Sequence, residues 1–374
     1  MPELDTIRGV AILAVVLLHG FSWQYGGYKF GPVARAFLTA TQPGWLGVNL
    51  FFVLSGFLIT GILLDSKTSL HYYRRFYTRR ALRILPAYYS LLLLLLLLRN
   101  SSLAFAGLSF VFLANMTDFF GVLCSYGPLW SLAVEEHFYI IWPTVIRKLS
   151  QAQIAAVALG IIVLVPTARA LAFLVGWRDG LNWYTWFVVD GLAIGSLLAV
   201  TLRTAITRKQ VTRLCAALLS LAVAVGFTGL PFGIATRNRL LGAALQCSTA
   251  NIFFAGILLL FLLAGTGRGK RYVCSPTLRF FGYISYGLYL NHMLAYRLYD
   301  TACLHYWPGL TPSNGHFELV LLKFVVATGA AIGGAYLSRK YFEERFLQLK
   351  QRSRGAATEL PNLSLIQPDV QIAS

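Results

Sequence analysis

The sequence predicts an all-α fold, a polytopic bundle of about ten transmembrane helices with both termini cytoplasmic. Three observations carry that expectation. Of the 374 residues, 57% are hydrophobic and 12% charged, against about 45–50% and about 25% in soluble domains. Apolar runs of roughly 17 to 25 residues recur along the chain, the length a helix needs to cross ~30 Å of hydrocarbon. Of the 32 Lys and Arg residues, 23 fall in the cytoplasmic segments when the N-terminus is placed inside, as expected for short cytoplasmic connections.

Taken in order, the first span covers 8–24. No small-residue cleavage site follows it and a second span at 45–64 comes next, so it reads as a signal anchor. The third span, 84–98, follows the densest basic cluster, Arg74-Arg75-Phe76-Tyr77-Thr78-Arg79-Arg80-Ala81-Leu82-Arg83. Residues 103–115 are apolar but too short to cross, and a crossing there would turn most later basic loops outward. They read as a re-entrant or surface hairpin. Spans at 129–146, 153–174, 182–201, 213–232, 241–265, 280–299 and 318–337 complete the bundle. Residues 1–354 form one transmembrane domain on this reading, and 355–374, polar with two prolines and no periodicity, form a disordered cytoplasmic tail.

The net charge of +18 fits positive-inside bias and attraction to anionic membrane lipid. The cluster ahead of the third span suits a soluble polyanion as well, because guanidinium forks match phosphate geometry. Nucleic acid is not expected as a partner of so apolar a chain. The five cysteines have no metal or redox spacing and read as scattered thiols. No metal is expected.

An ionisable side chain in hydrocarbon costs several kcal/mol unless it is paired or faces a wet cavity, so each one is a functional candidate. Arg8 and His19, eleven residues apart, fall within about 20° of one helix face and about 16 Å along it. Asp5 stands three residues before Arg8 and suits an i,i+3 partner. The plainer reading makes Arg8 an anchor and His19 a packing residue. In the ninth span Ser285, Tyr289 and His292 line one face at i, i+4, i+7. Two histidines at comparable depth with hydroxyl neighbours suit proton transfer near neutral pH, and a transporter or flippase for lipid-linked sugars or small acids would use the same parts. Glu135 and Glu136 are adjacent, so they face different directions. Arg169 and Asp190, in consecutive spans, read as a structural ion pair.

These residues resemble a known family. Leu4-Asp5-Thr6-Ile7-Arg8-Gly9 with His19 is similar to the L-D-x-x-R-G and R-x10-H opening of the acyltransferase 3 family of membrane-bound sugar and glycolipid O-acyltransferases. Gly47 through Ile59, Arg80-Ala81-Leu82-Arg83-Ile84-Leu85-Pro86, Leu129 through Pro143, Asp190-Gly191 with Gly195, Ile284 through His292 and Phe342-Glu343 resemble its later blocks in family order. Asn49 stands where the family has Asp, His137 where Gln is common, Asn291 for a frequent Trp, and Arg345 for the closing Pro.

The resemblance implies transfer of an acyl group, acetyl in the first instance, from acyl-CoA to a carbohydrate or glycolipid hydroxyl in a bacterial inner membrane. It implies His19 as the catalytic residue, a general base or an acyl carrier, with Arg8 and Asp5 in the same site. Arg79, Arg80 and Arg83 would bind the donor's phosphates, with Ser55, Trp130, Glu135, Glu136, Tyr289 and His292 as second-rank site residues. Acyl-CoA would be a co-substrate, with no permanently bound cofactor.

Overall fold

A computed structural model describes residues 2–265, 269 and 273–352, with side chains as far as residue 348. The tail expected at 355–374 lies outside these residues. Among the described residues every regular element is a helix, and each predicted span finds one. They include α1 (Pro2–Gly20), α2 (Ser22–Tyr25), α3 (Pro32–Thr41), α4 (Leu46–Asp65) and α5 (Tyr72–Leu97). Next come α6 (Leu103–Phe110), α7 (Leu129–Lys148), α8 (Gln151–Leu174), α9 (Thr185–Val188) and α10 (Asp190–Thr201). The last are α11 (Arg208–Gly229), α12 (Leu240–Gly265), α13 (Pro276–Tyr306), α14 (Phe317–Leu337) and α15 (Glu344–Arg352).

By length and composition, seven segments among the described residues are long and apolar enough to cross a membrane: Pro2–Tyr25, Pro32–Asp65, Tyr72–Leu97, Gln151–Leu174, Arg208–Gly229, Leu240–Gly265 and Phe317–Gln348. The protein is therefore an integral membrane protein with seven such segments, where the sequence suggested about ten spans. Helices α7, α10 and α13 make up the difference. The first and last of these, at 20 and 31 residues, have the length but carry many polar side chains, and α10 has only 12 residues.

Two predicted elements take particular shapes. The span expected over 182–201 is broken into α9 and α10. Its hydropathy runs on unbroken, but the carbonyl of Phe187 accepts a hydrogen bond from the Arg169 guanidinium at 2.8 Å. Residues 103–115 contain only the eight-residue α6, opened by Ser102 Oγ accepting from the amide of Phe105 at 3.1 Å. Eight residues rise about 12 Å, too little to cross. Tyr88 and Tyr89 of α5 donate to the carbonyls of Ser109 and Phe110 and tie this short helix to the bundle.

Close helix crossings fix the bundle. A Cβ on Gly9 of α1 would lie 2.0 Å from the carbonyl oxygen of Leu278, and one on Gly282 of α13 would lie 1.9 Å from that of Asp5. Glycine at both places lets the two backbones touch, as small residues do in membrane helix pairs. Elsewhere, Arg169 is buried and fully engaged. It meets Asp190 at 3.1 Å, Ser248 at 2.6 Å and the carbonyls of Ala244 and Phe187 at 3.0 and 2.8 Å. The predicted ion pair is present and joins α8, α10 and α12. All five cysteines are free thiols.

Candidate functional site

Helices α1, α4, α5, α7 and α13 surround a cavity of ≈ 180 Å³. Arg8, Arg80 and Arg83 line it together with Ser55, Ser131, Glu135, Tyr139, Ser285, Tyr286 and Tyr289. Three guanidinium groups thus face one carboxylate. Arg8 is held by Asp5 at 3.0 Å, as the i,i+3 spacing predicted. Arg80 lies over the rings of Phe76 and Tyr139, 5.8 and 5.3 Å from their centroids. Arg83 is exposed at the edge and has no hydrogen-bond or carboxylate partner among the described residues. Arg80 is thus stacked on two aromatic rings and meets Glu135 and Glu136 only through space.

The carboxylate does not neutralise it by direct pairing. Glu135 accepts from Ser55 Oγ at 2.9 Å and from the Tyr139 hydroxyl at 2.8 Å. Glu136 has no hydrogen-bond partner among the described residues and does not line the cavity. Arg79 lies outside it as well, and so does Trp130, whose ring meets Phe52 edge-on at 5.9 Å. Asn49 is also apart: its amide donates to Asn251 at 2.8 Å.

Beyond the chamber lies a histidine pair. His19, in the last turn of α1, places Nδ1 2.9 Å from Nε2 of His292 on α13. Their ring centroids lie 5.1 Å apart with 23° between planes, so the rings meet edge to edge through these nitrogens. His292 is buried, and its Nδ1 bonds the carbonyl of Leu288 at 2.9 Å. His19 is half-buried and meets the edge of the exposed Trp23. Tyr289 belongs to both halves. It lines the chamber, bonds Ser131 at 2.6 Å, and has its ring 6.0 Å from that of His292.

Sequence reasoning singled out Arg8, Ser55, Arg80, Arg83, Glu135 and Tyr289, and the structure brings them to one cavity. It passed over Ser131, Tyr139 and Tyr286. The first two had a legible signal, since Ser131, Glu135 and Tyr139 recur every four residues and so share a face of α7.

The comparisons with known proteins bear on this geometry. A family model described as an acyltransferase domain matches residues 1–340. The chain is similar to the peptidoglycan O-acetyltransferase of Listeria monocytogenes, 32% identical over 167 residues, which are 38% of this chain and 24% of that protein. It is 34% identical over 165 residues, 38% of this chain and 23% of the other, to a Bacillus subtilis protein named "Putative peptidoglycan O-acetyltransferase". It is 31% identical over 169 residues, 40% of this chain and 25% of the other, to a Staphylococcus aureus protein named "Putative O-acetyltransferase". The chain spans about a quarter of the length of these relatives. No solved structure matches it.

Proposed function

The chain belongs to the acyltransferase 3 family, whose model it matches over residues 1–340, and from that premise we propose that it is a membrane O-acetyltransferase using acetyl-CoA. The acceptor is the hydroxyl of a cell-envelope carbohydrate, peptidoglycan being the class its relatives' names point to. The observation that carries this reading is the arginine chamber lying next to a histidine pair. CoA is a polyanion on a flexible arm, and Arg8, Arg80 and Arg83 offer its phosphates fork-shaped donors. The arm then reaches past Tyr289 toward His19, about 16 Å along α1 from Arg8.

In the proposed reaction His19 Nε2 takes the proton of the acceptor hydroxyl as its oxygen attacks the thioester carbonyl carbon. The C–S bond breaks, and the departing sulfur takes the proton back from His19, giving the acetyl ester and free CoA. With α7, the α9–α10 pair and α13 crossing as well, both termini face the cytoplasm of a bacterial inner membrane, and donor and acceptor approach from opposite sides. The rival reading is a transporter or flippase for lipid-linked sugars or small acids. The family match favours group transfer. Purified protein given acetyl-labelled acetyl-CoA and soluble peptidoglycan fragments tests it, with labelled ester expected on the glycan. Undiminished acetyl-CoA and unlabelled glycan would sink the proposal.

A further inference from the structure

The two hydrogen bonds of His292 have an order that chemistry dictates. A carbonyl oxygen can only accept, so the 2.9 Å contact between His292 Nδ1 and the Leu288 oxygen requires the proton on Nδ1. In a neutral imidazole the other nitrogen then carries a lone pair. His292 Nε2 is therefore an acceptor, and the partner it faces at 2.9 Å, His19 Nδ1, must be the donor. With its proton on Nδ1, neutral His19 has a bare lone pair on Nε2. That nitrogen has no hydrogen-bond partner among the described residues, and His19 is half-buried where His292 is wholly so.

We propose that His292 is a positioning residue that fixes His19 as the Nδ1–H tautomer, leaving Nε2 as the proton acceptor toward the substrate. This deepens the acyltransferase reading and rests on it for the identity of the reaction. The arrangement runs in one direction, from the Leu288 carbonyl through both rings to the open nitrogen. It also serves the charged intermediate. When His19 Nε2 takes a proton, the ring becomes an imidazolium whose Nδ1–H already points at a lone pair, so the bond to His292 strengthens without either ring moving. A free imidazole in solution has no such bias and would spend much of its time with the wrong nitrogen protonated. The burial of His292 holds its side chain in one orientation, and the bond to its own helix at i−4 stops it from flipping.

The test separates order of hydrogen bonds from activity. Histidine 15N solid-state NMR of the full-length protein in lipid, assigned by difference against His19→Gln, should show His19 protonated at Nδ1 and bare at Nε2. In His292→Phe, which keeps ring volume but offers no lone pair, the His19 signal should move to a mixture with Nε2–H. Its kcat for acetyl transfer should fall about 10- to 100-fold, by analogy with the loss of a group that orients a metal-bound histidine, with KM for acetyl-CoA unchanged. His292→Gln, whose amide oxygen can accept from His19 Nδ1–H, should restore part of both. Nε2 protonation of His19 in the native protein overturns the proposal, as does a fully active His292→Phe. Native protein with the expected tautomer that transfers no acetyl would overturn the acyltransferase reading and leave the relay standing.

Discussion

Ser55 of α4 donates a 2.9 Å hydrogen bond to Glu135 of α7, and Tyr139 donates to the second oxygen of the same carboxylate at 2.8 Å. Glu136, its neighbour in sequence, makes no such bond among the described residues. Glu135→Ala therefore frees the ring on which Arg80 rests and breaks a tie between two helices. Its loss should cost about 1.5–3 kcal/mol of stability and raise KM for acetyl-CoA, whereas Glu136→Ala should stay within about 0.5 kcal/mol. Thermal unfolding of both variants in detergent checks this, and equal shifts would refute it.

Arg80→Ala with Arg83→Ala should weaken use of acetyl-CoA and leave inserted protein. Two charge-assisted phosphate contacts at about 1.5–3 kcal/mol each amount to a large rise in KM. Lys at both positions keeps charge without the fork and should rescue in part. Unchanged KM in the double variant moves the donor site elsewhere.

His19→Ala should abolish transfer with little loss of inserted protein, and His292→Ala should leave measurable activity. A positioned base supplies about 10²–10⁴-fold. His19→Gln keeps volume and hydrogen bonding but cannot take the proton, so it should be nearly as inactive. Specific activity after size exclusion decides the matter, and a near-normal His19→Gln would return His19 to a packing role.

Single cysteines at positions 70 and 310, in a background without the native thiols, should react with an impermeant reagent from opposite sides of the membrane. Leu70 and Leu310 are both exposed, so access through the protein does not limit labelling. Reaction from one side would contradict the proposed topology of both loops.

Arg169→Met should strip Asp190 of its partner inside the bundle. Breaking a buried pair from one side costs about 3–5 kcal/mol. The expected outcome is a sharp fall in detergent-extractable folded protein, with the surviving fraction showing the native KM for acetyl-CoA. Wild-type recovery would mean that the network of Arg169, Ser248 and Asp190 is not holding α8, α10 and α12 together.

Much of this was legible in the sequence for plain reasons. Helices show as apolar runs of membrane length, and Arg169 and Asp190 stood out as lone charges in consecutive spans. The break at α9 was hidden because apolar residues continue through it, and a hydropathy pattern does not show that a guanidinium will occupy the Phe187 carbonyl. His19 and His292 each had a visible polar setting, but their contact depends on how α1 lies on α13. That is decided at Gly9 and Gly282, and no periodicity within either helix shows which partner a glycine faces.

The crossing at those glycines acts as a fulcrum. Its centre falls near Ile7 and Phe280, since Gly9 abuts Leu278 and Gly282 abuts Asp5. The histidines each lie 12 residues farther along, about 18 Å by helical rise. Over such an arm a change of about 3° in the angle between the helices parts the two rings by ~1 Å, enough to undo a hydrogen bond. The contact between the two histidines is thus governed at the opposite end of the helix pair, where a single methyl group at residue 9 or 282 would act as a wedge.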